Sequence, residues 1–279
     1  MLYPGTQRSN QIKESLKTRV SALGYSPKTA ILSCGTHPSI SSYVAIKKRF
    51  AEYVGVTLVE HILDDKSSTE DLLKEISKIE ETKEYKGLIV QLPLPGGIDT
   101  EAVLRAIPES LDVDVLGPLY NKFVINEFPS PVLPPVVRAA KTIIEDIGIL
   151  LTNKNIVVIG AGRLVGAPIV EWLKNLGHIP EVIDIDTDLE NRNTLLQEAD
   201  IIISGTGVPH SIGPSDIKSG VILIDAGTSE QTGVLAGDID PECIEKADLM
   251  TPVPGGVGPV TVACLFENIV EFAEKKVVI

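Results

Sequence analysis

Short, largely apolar runs recur along this chain, and stretches with helical periodicity lie between most of them. The runs are TAILSC (29–34), VTLVEHIL (56–63), GLIVQLPLP (87–95), NIVVIG (155–160), EVIDID (181–186), ADIIISGTG (199–207), GVILIDAG (220–227) and ADLMTPV (247–253). Helices are predicted over 10–23, 41–56, 68–81, 98–108, 136–149 and 169–177, with Ser68 or Thr69 capping the third. Strands alternating with helices at this spacing predict parallel sheets with helices on both faces, an α/β fold. Ligands of such sheets gather at the carboxyl ends of the strands. FPSPVLPPVV (128–137) has four prolines and no glycine, which predicts a stiff linker between two domains.

Charge and cysteine usage narrow the function. The net charge of −13 over 279 residues excludes the broad basic surface that nucleic acid or an anionic membrane demands. A single anionic small molecule needs only a local cation and stays open. No apolar run reaches membrane-spanning length, and the N-terminal stretch has no secretory apolar core. Cys34, Cys243 and Cys264 are scattered and odd in number, which predicts reduced thiols in a cytoplasmic protein. Neither the cysteines nor the four histidines show metal-ligand spacing, so no metal is expected.

One helix carries a cation in an unusual place. In SSYVAIKKRFAEYVGV (41–56), helical spacing puts Tyr43, Ile46, Lys47, Phe50 and Val54 on one apolar side, with Lys48, Arg49 and Glu52 opposite. An ammonium at Lys47 loses hydration, which lowers its pKa toward proton exchange. The plainer reading is a lysine whose stem covers the core while its head reaches water. Gln91 ends the third strand, at the edge where a site would form. Asp112 and Asp114 flank a valine and, in an extended segment, point the same way. Such a pair serves either acid–base chemistry or a loop turn.

In the second half, NIVVIG runs into Gly160-x-Gly162-x-x-x-Gly166 and then a helix. Glycines there permit a tight turn and close backbone approach to a pyrophosphate at the helix N-terminus. EVIDID ends in Asp184 and Asp186, carboxylates suited to the ribose hydroxyls of NAD and repelled by the 2′-phosphate of NADP.

TPVPGGVGPVT (251–261) resembles the signature of the methylenetetrahydrofolate dehydrogenase/cyclohydrolase family. YVAIK (43–47), VQLPLP (90–95), DVD (112–114), VGAP (165–168), ADIIISGTG, IDAG (224–227) and GD (237–238) agree with it in order and spacing. The resemblance implies two domains with a cleft between them. The first, over 1–130 and joined by the C-terminal helix 260–279, is a three-layer α/β folate and catalytic domain. The second, over 131–259, is Rossmann-like and binds the dinucleotide. The resemblance further implies a homodimer, oxidation of 5,10-methylenetetrahydrofolate with NAD or NADP, and hydrolysis of the methenyl product to 10-formyltetrahydrofolate. Lys47 then resembles the catalytic lysine, Tyr43 its positioning tyrosine, and Gln91 the glutamine that bonds the lysine. Asp114 resembles the aspartate that grips the pterin ring, and Pro254, Gly255 and Gly256 the backbone wall beside folate. Gly160, Ala161, Gly162, Arg163, Gly166, Asp184, Asp186, Thr206 and Gly207 fall at the cofactor-binding positions.

The chain also departs from the family pattern. Leu111 and Val115 replace the lysine and glycine of KDVDG, PVLP (131–134) stands for PCTP, and Ile40 stands where a serine is usual. Ala161 and Gly162 occupy the places of the arginine and serine that help receive the NADP phosphate, with Arg163 one step later. With the two strand-end aspartates this favours NAD. Two alternatives remain at this stage: an NAD-dependent dehydrogenase with weak or no cyclohydrolase activity, and a shikimate-dehydrogenase-like oxidoreductase.

Overall fold

A computed structural model describes residues 1–35, 38–125, 132–231 and 234–274, without the side chains of 38–40, 230, 231 and 234. Part of the proline-rich linker, the end of the C-terminal helix reading and the Ile40 side chain therefore lie outside the described residues. The chain divides into two compact units, Asn10–Pro135 with Val262–Ile279, and Met1–Ser9 with Val136–Thr261.

The first unit contains most of α1 (Gly5–Ala22), then β1 (Lys28–Cys34), α2 (Pro38–Val54), β2 (Thr57–Leu63), α3 (Thr69–Glu81), β3 (Tyr85–Val90), α4 (Thr100–Arg105) and α5 (Pro118–Val124). Its parallel sheet has the order β2-β1-β3. β1 is buried from Thr29 to Cys34, as a central strand covered on both faces must be. On one face Ala30, Leu32, Leu88 and Val90 pack against Leu72, Ile76 and Ile79 of α3. Those three follow the four-then-three spacing of a helix stripe. Ser68 caps α3 with a full capping box to Asp71, a feature worth about 1 kcal/mol. Phe50 of α2 stacks on Phe266 of the C-terminal helix, centroids 4.6 Å apart.

The second unit contains α6 (Pro135–Asp146), β4 (Ile156–Ile159), α7 (Gly166–Asn175), β5 (Glu181–Ile183), α8 (Leu189–Glu198), β6 (Ile201–Ser204), β7 (Ile222–Asp225), the antiparallel pair β8 (Ser229–Gln231) and β9 (Val234–Ala236), and β10 (Leu249–Met250). α9 (Val257–Ala273) closes the described chain. The parallel sheet has the order β10-β7-β6-β4-β5. β4, β6 and β7 are buried throughout, which explains their unbroken Ile/Val/Leu composition. The N-terminus extends this sheet: Leu2 bridges Met250, and the Tyr3 N–H donates to the Met250 carbonyl at 2.9 Å.

Several elements differ from the sequence expectations. α1 begins at Gly5, five residues early, because the segment before Asn10 is anchored to the second sheet. α5 and the β8–β9 hairpin had no clear apolar period and went unpredicted. On α2 the buried stripe is Val44, Phe50, Ala51 and Val54, while Tyr43 and Ile46 are exposed. Ile46 lies on the flank of that stripe. Tyr43 is in register with it but sits in the early turns of α2 and is exposed.

Candidate active site

α2 follows β1, so its first turns sit at the carboxyl edge of the first sheet, and Gln91 directly follows β3 at that edge. The Lys47 Nζ donates to Gln91 Oε1 at 2.9 Å. Gln91 is buried, and its own amide N–H donates to the Leu92 carbonyl at 2.9 Å, which turns the oxygen toward the lysine. Burial pushes the Lys47 ammonium below the ordinary lysine range, opposed by the charge of Asp114. Burial likewise pushes the Asp114 carboxyl up, opposed by Lys47. A neutral amide as hydrogen-bond partner adds no counter-charge, so the amine form stays accessible. Tyr43, one turn before Lys47, is exposed.

Asp112 and Asp114 part company. The segment after Leu111 is a turn, with Val115 at φ +54°, and is not extended. Asp112 is fully buried and accepts from the Leu116, Gly117 and Leu119 N–H groups at 3.0, 3.0 and 3.1 Å. Burial raises its carboxyl to about 7 against those three bonds. Asp112 therefore fills the turn role, while the charge of Asp114 acts on Lys47. The same-direction expectation fails because a turn does not keep the alternation of a strand.

In the second unit the predicted nucleotide residues gather at the carboxyl ends of three adjacent strands, β6, β4 and β5. Gly160 has φ +84°, open to glycine at little cost. A Cβ on Gly166, the first residue of α7, would lie 1.6 Å from the Gly160 oxygen. The turn and the helix N-terminus thus fit a pyrophosphate approached by backbone alone. Ala161, Gly162 and Arg163 lie exposed on this turn. Asp184 and Asp186 are exposed after β5. One Asp184 oxygen accepts from the Asp186 N–H at 3.0 Å and the Thr187 hydroxyl at 3.1 Å. Thr206 and Gly207 follow β6, Gly207 at φ +70°. Pro254, Gly255 and Gly256 form the turn after β10, and the Thr6 N–H donates to the Gly255 carbonyl at 2.9 Å. Among the described residues, no group of three His, Cys, Asp or Glu side chains could hold a metal, and no helix is long and apolar enough to cross a membrane.

The chain matches the family model for the tetrahydrofolate dehydrogenase/cyclohydrolase catalytic domain over residues 4–114, and that for the NAD(P)-binding domain over 134–277. The chain belongs to the tetrahydrofolate dehydrogenase/cyclohydrolase family. Among its relatives in this family, a bifunctional protein FolD of Nautilia profundicola is 36% identical over 98% of this chain and 97% of that protein. A crystal structure of the Campylobacter jejuni bifunctional FolD, methylenetetrahydrofolate dehydrogenase/cyclohydrolase, has TM-score 0.93 at 32% identity, covering 99% of both chains. The Trypanosoma brucei dehydrogenase-cyclohydrolase, solved with NADP cofactor and an inhibitor, has TM-score 0.93 at 28% identity, covering 99% of this chain and 98% of that one. The two-domain α/β architecture is therefore that of the tetrahydrofolate dehydrogenase/cyclohydrolases.

Three supporting groups in this family member escaped the sequence reading. Asp238, buried, accepts from the Ser204 hydroxyl at 2.7 Å and the Thr206 N–H at 2.6 Å, which fixes the Thr206–Gly207 turn. Asp225, beside it, is raised to about 7 by burial first and by the charge of Asp238 as well. The quoted IDAG and GD segments contain both, so the signal was present without a role. Gly5 and Thr6 back the Pro254–Gly256 turn; a Cβ on Gly5 would lie 2.1 Å from the Gly256 oxygen. Nothing in the local pattern of residues 1–9 marks that contact. The third is Asn268, buried inside an otherwise apolar helix face.

Proposed function

We propose that this chain oxidises 5,10-methylenetetrahydrofolate to the methenyl compound and hydrolyses that compound to 10-formyltetrahydrofolate, with Lys47 as the proton-transferring group. The observation that carries the reading is the 2.9 Å bond from Lys47 to Gln91, in a lysine that burial drives toward neutrality. Family membership favours it over a shikimate-dehydrogenase-like enzyme.

NAD(P), held by the loops around Gly160–Gly166 and Thr206–Gly207, would supply the acceptor for the hydride that the methylene carbon gives up. The protein's part is orientation: Asp114 hydrogen-bonds the pterin ring, Tyr43 packs beside the substrate, and the Pro254–Gly256 turn presents backbone to folate. Hydrolysis then needs a base. Water attacks the methenyl carbon, and the neutral Lys47 amine takes the proton released as the C–O bond forms. When the ring opens, the carbon–N5 bond breaks, Lys47 returns its proton to N5, and the hydroxyl proton passes to solvent water as the formyl carbonyl forms. Gln91 holds the amine on this path without charging it.

Gly160, Ala161, Gly162, Arg163, Gly166, Thr206 and Gly207 are read as the dinucleotide loops. NAD is the preferred cofactor. The strand-end carboxylates Asp184 and Asp186 suit ribose hydroxyls and repel a 2′-phosphate, while Arg163 is the one feature on the turn that favours NADP. A cytoplasmic homodimer is the working form; the three cysteines are free and buried, as a reducing compartment allows. The test is a pair of initial rates with methylenetetrahydrofolate, one with NAD and one with NADP, beside the decay of methenyltetrahydrofolate. Turnover of both folates with NAD preferred supports the proposal; no folate turnover overturns it.

A further inference from the structure

Asp114 sits in a loop that is held from both sides. Immediately before it, Val113 is fully buried against the sheet; a Cβ on Gly87 of β3 would come within 2.8 Å of the Val113 side chain. The Val113 carbonyl accepts from the Asn268 amide nitrogen at 2.8 Å, and the same nitrogen donates to the Leu133 carbonyl at 2.9 Å. Asn268 is fully buried on α9, where its neighbours Leu265, Phe266, Ile269 and Val270 are apolar. Beyond Asp114, the Asp112 carboxylate gathers the Leu116, Gly117 and Leu119 N–H groups, which closes the loop around the intervening residues. Between these two anchors Val115 is buried with φ +54°. A β-branched residue in the left-handed region is strained and persists only where its surroundings over-determine it.

We infer that Asn268 and Asp112 are positioning residues for Asp114, fixing the backbone on its two sides and thereby the place of its carboxylate beside Lys47. The plainer role for Asn268 is to satisfy two buried carbonyls where chain segments meet. That role predicts lost stability alone. Positioning predicts something further, because moving Asp114 weakens the counter-charge that acts on Lys47 and loosens the grip on substrate. The inference rests on the proposed function for its substrate readout and on the Lys47–Asp114 pairing for its second readout.

The experiment uses the full chain with Asn268→Leu, and with Asn268→Ser as the milder change if the leucine variant does not fold. The KM for methylenetetrahydrofolate should rise by about tenfold, the scale of one lost buried hydrogen bond, while the KM for the dinucleotide stays within about twofold of wild type. The pH midpoint of methenyl hydrolysis should move to lower pH, since the Lys47 ammonium loses Asp114. Lower thermal stability with unchanged folate KM and an unchanged midpoint would overturn the inference. If the wild type turns over no folate, the proposed function fails by itself. The titration of Lys47, followed by carbon-13 NMR of methylated lysines and assigned with Lys47→Arg, then decides: a downward shift in Asn268→Ser supports positioning, and no shift refutes it.

Discussion

The Lys47 Nζ lies 2.9 Å from Gln91 Oε1, and the Gln91 amide is itself tied to the Leu92 carbonyl. The lysine thus has a fixed neutral acceptor and a carboxylate, Asp114, close enough to perturb its charge. Desolvation lowers its pKa and Asp114 opposes that, so the balance between the two sets the pH at which the amine is available. Methenyl hydrolysis should therefore rise with pH through a midpoint below the ordinary lysine value. Gln91→Glu adds a charge at hydrogen-bond distance, which favours the ammonium and shifts that midpoint upward by about one pH unit or more. A pH–rate profile of the two proteins checks it.

Asp112 offers a stability test with a definite sign. Its folded pKa is raised from 3.8 to about 7, so between those values the folded state holds a proton that the unfolded state has lost. Its contribution is fully present below pH ~4 and is lost as pH rises through ~7. Relative to Asp112→Asn, wild type should lose about 1 kcal/mol per pH unit across that window. Urea unfolding of both proteins at several pH values measures the difference. Asp225, also raised to about 7, adds to the slope in both and cancels.

Gly166→Ala places a methyl where only 1.6 Å separates the site from the Gly160 oxygen. The turn and the start of α7 must move apart. The KM for the dinucleotide should rise about tenfold or more while the folate KM changes little, with a stability loss of about 1–3 kcal/mol. Steady-state kinetics with each substrate varied separates the two effects.

Much of the architecture was legible because buried parallel strands announce themselves. IIIS of β6 and ILID of β7 are buried at every position, and their composition has no other explanation in an α/β chain. The glycines around Gly160 were legible for the same reason: strand before, helix after. Side-chain direction within loops was not. Asp112 and Asp114 look equivalent in sequence, yet three backbone donors beside a left-handed Val115 hold Asp112 in the turn, while Asp114 takes none of those bonds and its charge acts on Lys47. Long-range supports were equally silent. Asn268 lies 155 residues from the carbonyl it holds, and Thr6 lies 249 from Gly255. No local period encodes such pairs.

Cofactor choice turns on the exposed end of β5. Asp184→Ser removes the carboxylate expected to repel a 2′-phosphate, and should raise the NADP-to-NAD ratio of kcat/KM by about tenfold, equivalent to about 1.4 kcal/mol. Initial rates with both cofactors give the ratio directly. An unchanged ratio would assign discrimination to Arg163 and its turn.

Lys47→Met tests the central claim most directly. The substitution keeps the apolar stem and removes the amine. Methenyltetrahydrofolate hydrolysis, followed by loss of its absorbance, should fall by about a hundredfold or more, the scale of general acid–base catalysis, with dinucleotide affinity unchanged. Hydrolysis at the wild-type rate in Lys47→Met would contradict the account.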